Sequence, residues 1–212
     1  MGFCLIFFVM KTLIIFGNAV GGVGTTTTAV HISAALQTLG FSVRLLDGDV
    51  ANRTATRMCP SAVPVDLSSL DGMRQIFSDL GSSEADTCVL DAPVSAHAIF
   101  KRFFTSNHLS PGIHLLVGTV IDQTEYSVAG AVAWMEAFPE EAENFLIVNS
   151  IGTPEASDAR RRQLQSHFAG RVVKIPKLGE PNARKLNPEK AIPFITPFAK
   201  WMTGLDQPND TD

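Results

Sequence analysis

Thr12-Leu13-Ile14-Ile15-Phe16-Gly17-Asn18-Ala19-Val20-Gly21-Gly22-Val23-Gly24-Thr25-Thr26-Thr27-Thr28 decides how the rest of the chain is read. Leu13 to Phe16 is a short apolar run ended by Gly17, the pattern of a buried strand. Gly21, Gly22 and Gly24 then predict a tight loop. From Thr26 a helical spacing follows, with Ala29, Val30, Ile32, Ala34, Ala35, Leu36 and Leu39, and Gly40 marks its stop. Strand, glycine loop and helix start together form a cradle for an anion. The glycines let backbone N–H groups converge, and the helix dipole favours negative charge.

The chain has 212 residues, 45% of them hydrophobic. That is enough for one well-buried α/β domain and short for two. Charged residues make up 18%, below the usual quarter, which excludes a disordered polyelectrolyte. The net charge of −4 is unevenly spread. Residues 1–150 hold 7 Lys/Arg and 14 Asp/Glu, whereas residues 151–200 hold 10 and 4. The basic region 160–190 is either a contact for non-specific DNA or an acidic partner, or a solvated helix face. Cys4, Cys59 and Cys88 are odd in number and lack a CxxC spacing. They fit a reducing compartment and neither a zinc site nor a disulfide framework.

Residues 1–10 form an apolar extension without a basic leader or a small-residue cleavage site, too short to span a bilayer. It reads either as upstream sequence from a misplaced start, with Met10-Lys11 as the second start, or as a peripheral contact. No stretch is long enough for a transmembrane helix, so the expectation is a cytoplasmic protein with no integral membrane contact.

Downstream, Phe41 to Leu46 predicts a second strand that ends in Asp47-Gly48-Asp49. Residues 52–64 read as a short helix carrying Arg53 and Arg57, then a loop broken by proline. Helices are expected over Leu67–Leu80, Ala96–Asn107 and Thr124–Phe138, and strands over Thr87–Asp91, Ile113–Val120 and Phe145–Val148. Asp91-Ala92-Pro93 closes the third strand and Asn149 the fifth. A helix over 154–168 and a strand over 171–175 follow. Residues 176–197 hold five of the twelve prolines and read as a loop wrapping the sheet edge. Phe198, Trp201, Met202 and Leu205 fit a last amphipathic turn, and the acidic tail 206–212 is expected to be disordered. This order predicts an α/β fold, a doubly wound and mostly parallel sheet with helices on both faces, as a single domain over 11–205. Acids at the carboxyl ends of such strands border the crevice where ligands bind.

Gly21-Gly22-Val23-Gly24 with Thr26 and Thr27, then Asp47-x-Asp49 and Asp91-x-Pro93, resemble the motifs of the ParA/MinD family of P-loop ATPases. Those proteins carry a deviant Walker A loop, Lys-Gly-Gly-x-Gly-Lys-Thr-Thr. Here Val20 and Thr25 stand in place of both lysines. The resemblance spans roughly residues 11–195 and is specific only near the motifs. It implies ATP and Mg2+ as ligands, with Gly21, Gly22, Val23, Gly24, Thr25, Thr26 and Thr27 around the phosphates. It implies magnesium at Thr26 and Asp91, with Asp47 supporting the metal or its water shell, and Asp49 as the catalytic group that orients water. Asn149 would read adenine, and Pro176 would wall the base. Asn149 also fits a plain turn or helix-capping residue, and Asp47 and Asp49 fit an ordinary strand-end turn.

The resemblance further implies plasmid or chromosome partition, or a related positioning task. Its partners would be a centromere-binding or cargo adaptor protein and a second copy in a homodimer. A threonine hydroxyl cannot neutralise a phosphate oxygen. Loss of a charge-assisted contact costs a few kcal/mol, about a hundredfold in affinity or rate. Weak nucleotide binding is therefore expected to outlast fast hydrolysis, and Val20 cannot reach across a dimer as a lysine would. Arg53 and Arg57 are the nearest cations in sequence that could compensate. The alternative is a pseudo-ATPase that keeps the fold as a scaffold or DNA-binding module. A dinucleotide-dependent oxidoreductase is a further alternative, weakened because the glycine spacing is not G-x-G-x-x-G and because Tyr126 is followed four residues on by Gly130, not lysine. His31, His97, His108, His114 and His167 show no metal spacing.

Overall fold

Continuous apolar runs such as Leu13-Ile14-Ile15-Phe16 are hydrophobic on both faces, so the strands that contain them must be covered on both sides. In the computed structural model they form the middle of a parallel sheet. The structure describes residues 11–107, 109, 112–122, 124–149, 172–175 and 196. The elements run β1 (Lys11–Gly17), α1 (Thr25–Thr38), β2 (Val43–Asp47), α2 (Thr54–Met58), β3 (Val63–Pro64), α3 (Leu70–Ser82), β4 (Thr87–Asp91), α4 (Ala96–Ser106), β5 (Ile113–Ile121), α5 (Glu125–Met135), β6 (Glu143–Asn149) and β7 (Val172–Ile175). The seven strands pair in the order β3-β2-β4-β1-β5-β6-β7. Every pairing is parallel.

The two faces have separate cores. Ile14, Phe16, Val89, Leu116, Phe145 and Ile147 pack with Ala29, Ile32 and Leu36 of α1 on one face. Leu13, Ile15, Leu90, Leu115 and Val117 pack on the other with Met73, Phe100 and Trp134 of α3, α4 and α5. The division follows from handedness. The α1 crossover leads from β1 toward the β2 edge, and those through α3, α4 and α5 lead the opposite way, so right-handed connections put them on opposite faces. Trp134 is fully buried and meets Phe100 edge to face, with ring centroids 5.5 Å apart. It lies so close to Gly17 that a Cβ there would enter its indole ring.

Several boundaries differ from the sequence reading. Helix α3 starts at Leu70, not Leu67, because the Ser69 hydroxyl accepts from Gly72 N at 3.1 Å and fixes the cap. A parallel strand at Val63–Pro64 replaces the expected loop. Proline is tolerated there because the strand is at the edge of the sheet. Helix α5 ends at Met135 and gives way to turns before Pro139. The order also differs from that of the dinucleotide-binding sheet on which the oxidoreductase alternative leans. In a Rossmann sheet the first strand lies beside the second, whereas here β4 separates β1 from β2. The extension 1–10, the helix at 154–168, Pro176, the proline-rich loop apart from Thr196, the segment 198–205 and the tail lie outside the described residues.

Candidate functional site

The glycine loop leaves the carboxyl end of β1 and enters α1. Gly22 (φ 83°) and Gly24 (φ 94°) both adopt left-handed backbone, which side chains at these positions would strain. Gly24 is also the N-cap of α1, and no side chain caps the helix. The first helical bond is Thr28 N to Gly24 O, 3.0 Å. The amides of Thr25, Thr26 and Thr27 thus have no acceptor within the helix, and they form the donor end of its dipole. No acidic residue occupies that first turn.

Two braces hold the loop. Asn18, 2% exposed, donates Nδ2 to Val120 O at 2.7 Å and to Ser127 O at 3.0 Å, and its Oδ1 accepts Val20 N at 2.9 Å. It thereby ties the end of β1 to β5 and α5. On the other flank, Asn149 donates Nδ2 to Val23 O at 3.2 Å. The structure therefore places the Asn149 amide on the loop backbone. Val20 rests against α5, where a Cβ on Gly130 would strike its Cγ2. The position of the first missing lysine is thus packed against the protein's own helix.

The acids come together as the parallel register dictates. Asp47 and Asp91 are Cα partners across β2 and β4, and Phe16 is the partner of Asp91 on β1. Alternation along the strands puts both carboxylates on the α1 face, with Leu45 and Val89. Gly48 separates Asp47 from Asp49 because a Cβ there would meet the Leu67 side chain and the Asp91 carbonyl. Asp91 is 2% exposed and its Oδ2 has no hydrogen-bond partner among the described residues. Burial pushes its pKa up to about 7, partly offset by the Thr26 hydroxyl, and the nearby charges of Asp47 and Asp49 raise it further.

Asp47 is fully buried. Its Oδ2 accepts Thr56 N at 2.7 Å and Thr56 Oγ1 at 2.8 Å, and its Oδ1 accepts Asp49 N at 3.1 Å. These three donors tie Asp47 to α2 and to the backbone of Asp49. Asp49 is half-buried. Asn52 engages both of its oxygens, N to Oδ1 at 3.0 Å and Nδ2 to Oδ2 at 2.8 Å. Among the described residues no three His, Cys, Asp or Glu side chains converge to hold a metal. Magnesium needs fewer, since it commonly takes one or two carboxylates plus phosphates and water. A buried carboxylate oxygen with no partner among the described residues, beside a threonine hydroxyl, fits such an ion, with Asp91 and Thr26 as the groups that would hold it, while the nearby amides suit the phosphates.

Asn18, Thr56, Asn52 and Gly130 escaped the sequence reading. The only sequence signal is an Asn one residue after the strand-ending Gly17, since the partners of Asn18 lie about a hundred residues away. Arg53 and Arg57 are exposed. Among the described residues no helix is long and apolar enough to cross a membrane.

A family profile described as ATPase MipZ matches residues 12–65, the stretch that holds the loop and the first two acids. No curated protein matches. Among solved structures, the MinC:MinD cell division protein complex of Aquifex aeolicus is similar with a TM-score of 0.64 at 17% identity, covering 95% of this chain and 98% of that one. MinD cell division protein of the same organism gives 0.57 at 16%, covering 95% and 100%. Apo McdA of Cyanthece gives 0.52 at 16%, covering 90% and 94%. The profile match is confined to the loop and the first two acids, and the solved structures, at 16–17% identity, show a MinD-like fold along nearly the whole chain.

Proposed function

We propose that this chain is a ParA/MinD-like nucleotide-binding protein whose ATP hydrolysis is weak or absent, serving partition or a related positioning task. The observation that supports it most is the pairing of the three amides of Thr25–Thr27, which have no acceptor within the helix, with the buried carboxyl of Asp91 beside Thr26, whose Oδ2 has no partner among the described residues. The amides would take phosphate oxygens, and Thr26 and Asp91 would take magnesium, which neutralises phosphate charge when bound. Asp49 would orient water. With threonine at position 25, the pocket lacks the fixed cation that stabilises charge developing during phosphoryl transfer. The pseudo-ATPase reading gains from Val20, which is packed on α5 where the resembled family has a lysine.

By analogy with the MinC:MinD complex, a partner protein would read the bound state, and a second copy would complete a dimer. The single domain over 11–205, the contact of region 160–190 with DNA, the adenine role of Asn149, the wall at Pro176 and a cytoplasmic place belong to the same proposal. Phosphate release from ATP and magnesium tests it. Wild-type protein should release phosphate slowly or not at all, and Thr25→Lys should raise affinity or rate about tenfold or more. Rapid wild-type turnover would refute the weak-hydrolysis reading, and no gain with lysine would mean that the pocket differs beyond the loop.

A further inference from the structure

We propose that Arg53 supplies to the terminal phosphate of a bound nucleoside triphosphate the positive charge that Thr25 lacks. This rests on the nucleotide-binding reading above and names the residue that completes its site.

The backbone gives the first argument. Among the described residues Arg53 is the one non-glycine residue with positive φ, at φ 49° and ψ 45°. Glycine or asparagine takes that conformation at least cost, and the chain has asparagine one position earlier, at Asn52. Strain of this kind persists where surrounding bonds impose it, and it clusters at functional sites. The bonds are present. Asn52 N and Nδ2 bind the two carboxylate oxygens of Asp49, and Arg53 N donates to Asp49 O at 2.7 Å.

Placement gives the second. The segment from Asp49 to Thr56 is fastened at both ends to the acids of the site, through Asp49 at its start and through the two bonds from Thr56 to Asp47 at its end. Arg53 stands near its middle. The other described cations are placed elsewhere. Lys11 is bound at the amino end of β1 to Ser83 O and Ala85 O, Arg74 pairs with Asp71 and Lys101 with Glu136. Arg44 precedes the carboxyl end of β2, and Arg102 lines a groove beside α5. Arg57 donates to Thr54 Oγ1 at 3.3 Å on its own helix.

Electrostatics gives the third. The charges of Asp47 and Asp49 are near enough to Asp91 to act on it, so an incoming triphosphate meets like charge on the strand side. The Arg53 side chain is exposed and has no ion pair or side-chain hydrogen bond among the described residues. A guanidinium offers several donors to phosphate oxygens and stays charged at any working pH.

The test is calorimetric titration of the full chain with magnesium and either ADP or a non-hydrolysable ATP analogue. Arg53→Gly removes the cation and relaxes the backbone, so it is expected to fold at least as well as the wild type in a melting curve. The proposal expects it to bind the triphosphate roughly 10- to 100-fold more weakly while ADP affinity stays within about twofold. Arg53→Lys should recover most of the loss, and Arg57→Ala should bind as the wild type does. Equal triphosphate affinity in Arg53→Gly, or an equal loss for ADP, would overturn it. Wild-type protein that binds neither nucleotide would overturn the nucleotide-binding reading itself, and this inference with it.

Discussion

Asp91 and Asn18 show what single residues carry here. Asp91 keeps its proton in the folded chain to about pH 7 because burial disfavours its charge. The unfolded chain releases that proton near pH 4. Its contribution to stability is therefore full below about pH 4, declines as pH rises, and is lost above about pH 7. Asp91→Asn should remove this slope, so urea unfolding at pH 5 and pH 8 should show the variant gaining on the wild type as pH rises. Magnesium and a triphosphate would displace the proton, so their binding should strengthen through the same window. Asn18→Ala removes two buried side-chain donors to carbonyls and is expected to destabilise the chain by about 2–4 kcal/mol, read as a lower melting temperature. Asp91 was legible in the sequence because an acid ending an apolar run is a local pattern. Asn18 was not, because the side chain clamps Val120 and Ser127, far away in sequence, and an Asn just after Gly17 is too weak a local signal to reveal it.

At the scale of elements, the glycine loop and α1 are the part the sequence specifies most fully. Glycine spacing announced a tight loop, and the structure shows which glycines adopt left-handed backbone in it, Gly22 and Gly24. Gly24→Ala should cost about 1–2 kcal/mol of stability through the φ penalty and disturb the amides that follow it. Its nucleotide affinity should therefore fall together with its melting temperature, and a variant that melts lower but binds unchanged would show that the amides are not the cradle. The central strands were equally legible, since apolar runs bounded by turn residues have few other readings. Less was visible at β3, where two residues pair only because β2 offers an edge. The start of α3 was missed although its cue is local: Ser69 caps the helix at Gly72 N, and Gly72 closely approaches the Asp66 carbonyl. Tertiary context also decides Val20, which reads as a lost lysine in sequence and as a packing residue against Gly130 in space.

In the whole molecule, the strand order brings the loop after β1 between the ends of β4 and β5. Neighbouring β2 then delivers Asp47 beside Asp91. The fold class and the convergence of loop and acids could be read from motif order alone. The arrangement of the bonds around Asp47 and Asp49 could not, because it is made by Thr56 and Asn52, residues with no motif of their own. The central claim is that the amides of Thr25–Thr27 and the carboxyl of Asp91 bind a magnesium nucleotide despite the missing lysines. Calorimetric titration of the wild-type chain with a non-hydrolysable ATP analogue, with and without magnesium, tests it most directly. Saturable binding that strengthens on adding magnesium, with the magnesium effect gone in Asp91→Asn, is the predicted result. No binding, or binding that neither magnesium nor Asp91→Asn alters, would contradict it.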